Sequence, residues 1–141
     1  TLLDDPATGM RRLRERLEYF QEQINTIAPE YERYQQEFDR LLAEVQRLEA
    51  EGPEEEFTRL RDEEFLPARE RAIVTLVNLR YYAVSALSLR RYVLSRVYVE
   101  VKAAFLLDAD SAEYQAFLRE YEAALEGFEN VVAPQLVESD I

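Results

Sequence analysis

The chain has 141 residues, a net charge of −12 and neither Cys nor His. Those absences exclude disulfides, thiolate metal sites, His-based general bases, Ser-His and Cys-His nucleophiles, and the Glu-x-x-His pairs of di-iron bundles. The acidic balance argues against nucleic acid or an anionic membrane as the main partner.

With three Gly, five Pro and a surplus of Leu, Glu, Arg, Ala and Tyr, the composition is that of long helices. Asp5-Pro6 opens the first, pairing an N-cap acceptor with a residue tolerated at the first helical position. Met10, Leu13, Leu17, Phe20, Ile24, Ile27, Tyr31, Tyr34, Phe38, Leu41, Val45 and Leu48 then alternate spacings of three and four without a miss. This is a heptad seam. Pro29 falls on the face opposite that seam, and the two halves share one phase, so one helix over 6–51, kinked at Pro29, is favoured over a hairpin broken there.

Glu51-Gly52-Pro53 ends this helix, with Gly52 expected in the left-handed conformation and Pro53 opening the next helix, whose first turn carries Glu54, Glu55 and Glu56. So short a link makes the two helices antiparallel neighbours. The second helix is expected over 54–107, kinked near Pro67. Its run "AIVTLVNLRYYAVSALSLRRY" (72–92) holds Asn78, Arg80, Arg90 and Arg91 and is read as a buried soluble helix, with no membrane insertion. One inward stripe is expected from Ile73, Val77, Val84, Leu87, Leu94, Val101 and Phe105. Val74, Tyr82, Ala86, Leu89, Val93 and Val97 cover much of the remainder, so the helix belongs at a bundle centre or an oligomer interface.

The third helix is expected over 110–132, capped by Asp110 with Glu113 completing a capping box. Its apolar face is Tyr114, Phe117, Tyr121, Ala124, Leu125, Phe128 and Val132, with Gly127 a weak spot; Ala133-Pro134 ends it and the last seven residues look frayed. A calcium loop beginning at Asp108 fails, because its twelfth position is Arg119. No Gly-rich phosphate loop is present.

Charge is uneven along the chain: −1 over 1–27 (5 acidic, 4 basic), −8 over 28–70 (14 and 6), +5 over 71–107 (1 and 6) and −8 over 108–141 (9 and 1). The basic segment is expected to pack among acidic ones. Within it Arg80 and Arg91 fall on or beside the expected inward stripe, with Arg90 and Arg96 adjacent. Paired with neighbouring Glu they are structural; converging on one point they would bind a carboxylate or other small anion. The Glu run at 51 and 54–56 reads as solvated helix-end charge, with a weak divalent-cation site as the minor alternative.

"RVYVEVKAAFLLDADSAEYQAFLREYEAAL" (96–125) resembles the helix-turn-helix of extracytoplasmic four-helix-bundle sensor domains of bacterial chemoreceptors and sensor kinases. Phe105, Leu106, Leu107, Asp110, Tyr114 and Phe117 occupy the matching places, and "RDEEFLPARERA" (61–72) is similar to another stretch of such bundles. Ala109 departs from the Gly usual before the turn Asp. The resemblance implies a dimeric ligand-sensing ectodomain, with Arg80, Arg90, Arg91 and Arg96 as candidate ligand contacts by their chemistry.

The sequence therefore predicts an all-α single domain over 1–141, an elongated antiparallel bundle of three helices completed by self-association, most simply a dimer. Beginning at Thr1, it is consistent with a piece of a longer protein. Two functions fit: an extracytoplasmic ligand-sensing domain, or a coiled-coil assembly or adaptor protein, cellular or viral, that docks partner helices and would be cytoplasmic. No base, nucleophile or metal constellation suggests an enzyme, and no cofactor is expected.

Overall fold

A computed structural model describes residues 2–129, and among these it is all α-helical, with no strand. Helix α1 spans Pro6–Glu51, α2 spans Glu54–Ala104, and α3 spans Ala112–Glu129. The sequence-predicted features at Val132, Ala133-Pro134 and the last seven residues, and the side chain of Phe128, lie outside the described residues.

Asp5 starts α1 as its N-cap. Its Oδ1 accepts from the Thr8 backbone N–H at 3.2 Å and its Oδ2 from the Thr8 hydroxyl at 2.7 Å. These two bonds from Thr8 hold the Asp5 carboxyl below its ordinary pKa. The helix runs through Pro29, which is exposed and has no N–H to donate to the ladder. Every seam residue from Met10 to Leu48 is buried or half-buried. The alternative of a hairpin broken at 25–29 does not occur; α1 is the single helix that the seam favoured.

Gly52 ends α1 for a reason other than the one expected, since no glycine has a positive φ. Its N–H bonds the Leu48 carbonyl at 2.9 Å, and a Cβ there would lie 3.1 Å from both the Leu48 Cα and its carbonyl oxygen. Closeness to the preceding turn, not handedness, demands glycine. Pro53 (φ −65°, ψ 139°) sits at the N-cap of α2 rather than inside it.

Two π-helical turns interrupt α2 without ending it, at Arg61–Phe65 and Val93–Val97. In the first, the Leu66 N–H reaches back five residues to the Arg61 carbonyl, immediately before Pro67, which has no N–H to donate. The widened turn accommodates the proline inside the helix. In the second, the Tyr98 N–H bonds the Val93 carbonyl, and the Ser95 hydroxyl donates to the Arg91 carbonyl. A serine that occupies that carbonyl competes with the regular ladder. Helix α2 ends at Ala104, three residues earlier than expected, and Leu106 and Leu107 stand in the following turn, the latter 99% exposed.

The cap of α3 also differs from expectation. Ser111 accepts the Tyr114 N–H on its hydroxyl oxygen at 3.2 Å, while its carbonyl accepts the Gln115 N–H at 3.0 Å. The N-cap is therefore Ser111, not Asp110, and Tyr114 occupies the third helical position where a capping box would need Glu.

The described residues form two compact units, 2–23 with 82–129, and 24–81. The first is a three-helix bundle in which α1 and α3 run parallel to each other and antiparallel to α2. Its core is Met10, Leu17 and Phe20 against Ala83, Ala86, Leu89, Val93, Val97 and Val101, closed by Tyr114, Phe117 and Ala124. A column of stacked rings lines one side: Phe105 on Tyr114 (5.8 Å), Tyr114 on Phe117 (6.2 Å), Phe117 on Tyr121 (5.8 Å) and Tyr121 on Tyr98 (4.8 Å). Burial there raises the Tyr121 pKa. Gly127 lets α3 approach α1, since a Cβ would stand 3.2 Å from Leu17 Cδ2.

The second unit is an antiparallel helical hairpin, 24–51 against 54–81. Ile24, Leu41, Val45 and Leu48 pack on Ala68, Ala72, Leu76 and Leu79. Phe38 stacks on Phe65 at 5.5 Å and Arg71 bridges Glu37 at 3.3 Å.

Candidate association surface

The face that α2 buries is not the stripe of large side chains. It is Ala68, Ala72, Leu76, Leu79, Ala83, Ala86, Leu89, Val93, Val97 and Val101. Val77, Val84, Leu87 and Leu94, all expected inward, are exposed, while Ile73 and Phe105 are half-buried and only Val101 of that stripe is buried. The physical reason is volume. Helix α1 supplies Met, Leu and Phe to the contact, so the neighbouring helix fits closely with its alanine side inward. Because α2 is apolar nearly all round, hydropathy alone gives it no preferred face.

This corrects the reading of 72–92 as a buried helix. By length and composition α2 could cross a membrane, and its most apolar 18-residue window is only 28% buried. Large apolar side chains are left outside along it: in the 24–81 unit Leu66, Val74, Val77 and Tyr81 recur eight, three and four residues apart, with Val77 57% and Tyr81 62% exposed, and in the other unit Val84 is 60% exposed. Glu63 and Glu70, on either side of Leu66, share this spacing and are exposed. A line of exposed Val, Leu and Tyr at helical spacing marks an interaction surface.

The four arginines read as candidate ligand contacts differ in their surroundings. Arg91 is exposed rather than inward, as are Arg90 and Arg96, whereas Arg80 is half-buried in the 24–81 unit and engaged in an interaction. The best-built polar cluster lies elsewhere and escaped sequence reasoning. Glu120 on α3 takes Arg11 Nε on one oxygen at 3.0 Å, and Arg14 Nε and a terminal Arg14 nitrogen on the other, each at 3.1 Å; Arg14 also reaches Glu18 at 2.9 Å. Burial by itself would raise the Glu120 pKa, but the two guanidiniums outweigh it and hold the carboxyl below its ordinary value. This clasp ties α3 to α1 and uses up the charge of all three groups. Only the i, i+3 spacing of Arg11 and Arg14 on α1 hinted at it.

Among the described residues no group of three or more Asp or Glu is placed to hold a metal ion. The concavities are shallow. One beside the start of α1 is lined by Leu2, Asp5, Thr8, Arg12, Leu13 and Tyr92, and another by Glu30, Tyr34, Pro67, Glu70, Arg71 and Val74.

No family model, no curated protein and no solved structure matches the chain.

Proposed function

We propose that this is a non-enzymatic assembly protein that works by helix-to-helix association through the exposed apolar line of α2, with a second copy of the chain as the partner. The observation that carries the proposal is the exposure of Leu66, Val74, Val77, Tyr81 and Val84 on one long helix. Two copies meeting there cover roughly ten half-exposed side chains, at about 1 kcal/mol each. Against the ~4–15 kcal/mol entropic cost of association at most about 6 kcal/mol remains, so the expected affinity is tens of micromolar or weaker.

Sedimentation velocity from about 1 to 200 μM is the direct test. The expected result is a concentration-dependent monomer–dimer equilibrium, shifted to monomer by Val77→Asp and Val84→Asp with helicity preserved. A chain that stays monomeric throughout would overturn the proposal.

The sensory reading is the second one, supported by the likeness of 96–125 to sensor-domain helix-turn-helices and by the ring stacking of Phe105, Tyr114 and Phe117 around that turn. A thermal-shift panel of small carboxylates and amines tests it. Stabilisation abolished by Arg90→Ala with Arg91→Ala supports it; no stabilisation by any compound sinks it.

A further inference from the structure

Resting on the association reading above, we infer that the copies pair head to tail. An acidic, apolar face in the 24–81 unit of one copy takes a basic, apolar face in the 82–129 part of the other unit of a second copy. The occupant of each face is another copy of this chain, and each face lies wholly within one compact unit.

The acidic face is the line Glu63, Leu66, Glu70, Val74, Val77 and Tyr81, spaced three, four, four, three and four residues apart, all exposed. It belongs to a unit whose residues 24–81 carry a net charge of −6 (14 acidic, 8 basic). The basic face is the line Val84, Leu87, Arg91 and Leu94, spaced three, four and three residues apart, again all exposed. It belongs to the stretch 82–104, with a net charge of +3 (Glu100 acidic; Arg90, Arg91, Arg96 and Lys102 basic) in a chain of net charge −12. Each face thus presents aliphatic side chains at helical spacing, and the two are opposite in charge.

These charges are available to a partner. Arg11, Arg14, Arg47, Arg61 and Arg71 are held in ion pairs inside the chain. Among the described residues no ion pair takes up Glu63, Glu70, Arg90, Arg91 or Arg96. Pairing the acidic face with a copy of itself brings two acidic units together and supplies no cation from the line to Glu63 or Glu70, in either orientation. Pairing the basic face with itself leaves Arg91 equally without an anion. Unlike charges steer and like charges exclude, so each face selects the other kind of face rather than its own. Such an interface is heterologous, and every copy carries one face of each kind.

Two full-length variants, each charge-reversed on one face, test the arrangement: Glu63→Arg with Glu70→Arg, and Arg90→Glu with Arg91→Glu. All four positions are exposed, and helicity is followed by circular dichroism. Sedimentation velocity is run on the wild-type chain, on each variant alone and on their equimolar mixture, up to about 200 μM. The wild-type chain is expected to associate and each variant alone to associate about tenfold more weakly. The mixture is expected to recover association, because the unaltered basic face of the first variant meets the unaltered acidic face of the second. A basic-face variant that associates as strongly as the wild-type chain would overturn the head-to-tail pairing and leave the association reading standing. A mixture that stays apart while the wild-type chain associates would do the same. A wild-type chain that is monomeric throughout would overturn both.

Discussion

Exchanging the roles of two neighbouring positions, Ala83 and Val84, provides the sharpest test of which face α2 turns inward. By hydropathy Val84 is the core residue and Ala83 is incidental, but Ala83 is 2% exposed and Val84 60% exposed. In Ala83→Leu three extra carbons enter a closed contact with α1, and overpacking of that kind costs about 1–3 kcal/mol. In Val84→Ala two methyl-sized groups are lost, each worth about 0.8 kcal/mol if fully buried. With only some two-fifths of the side chain covered, the loss is roughly 0.6 kcal/mol, and alanine's better helix propensity returns a similar amount. The expected outcome for the monomer is a Tm lower by roughly 4–10 °C in Ala83→Leu and unchanged within about 2 °C in Val84→Ala. Circular dichroism at 222 nm during heating reads both. The scan is run at low micromolar concentration, so that self-association does not contribute to the Val84 position. A larger loss in Val84→Ala than in Ala83→Leu would refute the assignment of the buried face.

Other expectations follow from single features. Ser111→Ala is expected to cost about 1 kcal/mol in urea denaturation while Asp110→Ala costs less than half of that, because the serine hydroxyl caps α3; the reverse order would restore Asp110 as the cap. Gly52→Asn is expected to lower the melting temperature, since any Cβ crowds the Leu48 backbone; a neutral effect would point instead to a left-handed residue, which Asn tolerates. The Glu120 carboxyl has a depressed pKa, so its contribution, about 1 kcal/mol, is present above its ordinary value of 4.5 and is lost as pH falls below it. Denaturation midpoints from pH 7 to pH 3 should therefore fall less steeply for Glu120→Gln than for the wild-type chain, and identical slopes would count against the clasp.

What the sequence determined by itself is the part of the protein where one face is apolar and the others are not. Helix α1 is legible from end to end: Asp5 and Pro6 start it, the three-four seam faces inward, Pro29 is carried on the exposed side, and Glu51-Gly52 stops it. The face of α3 that carries Tyr114, Phe117 and Ala124 was legible for the same reason. Tertiary structure decided which face of α2 is buried, because a helix apolar on all sides offers no amphipathic signal. Its orientation is set by fit: alanines go against the bulky side chains of α1, and the larger Val, Leu and Tyr residues remain outside. Arg91 moves from an expected interior to a surface as a direct result. The π-helical turns that keep Val93, Val97 and Val101 on one side, and the capture of Glu120 by Arg11 and Arg14, depend on hydrogen bonds that spacing rules do not encode. The candidate surface was therefore invisible as a surface in the sequence, although each of its residues could be read there.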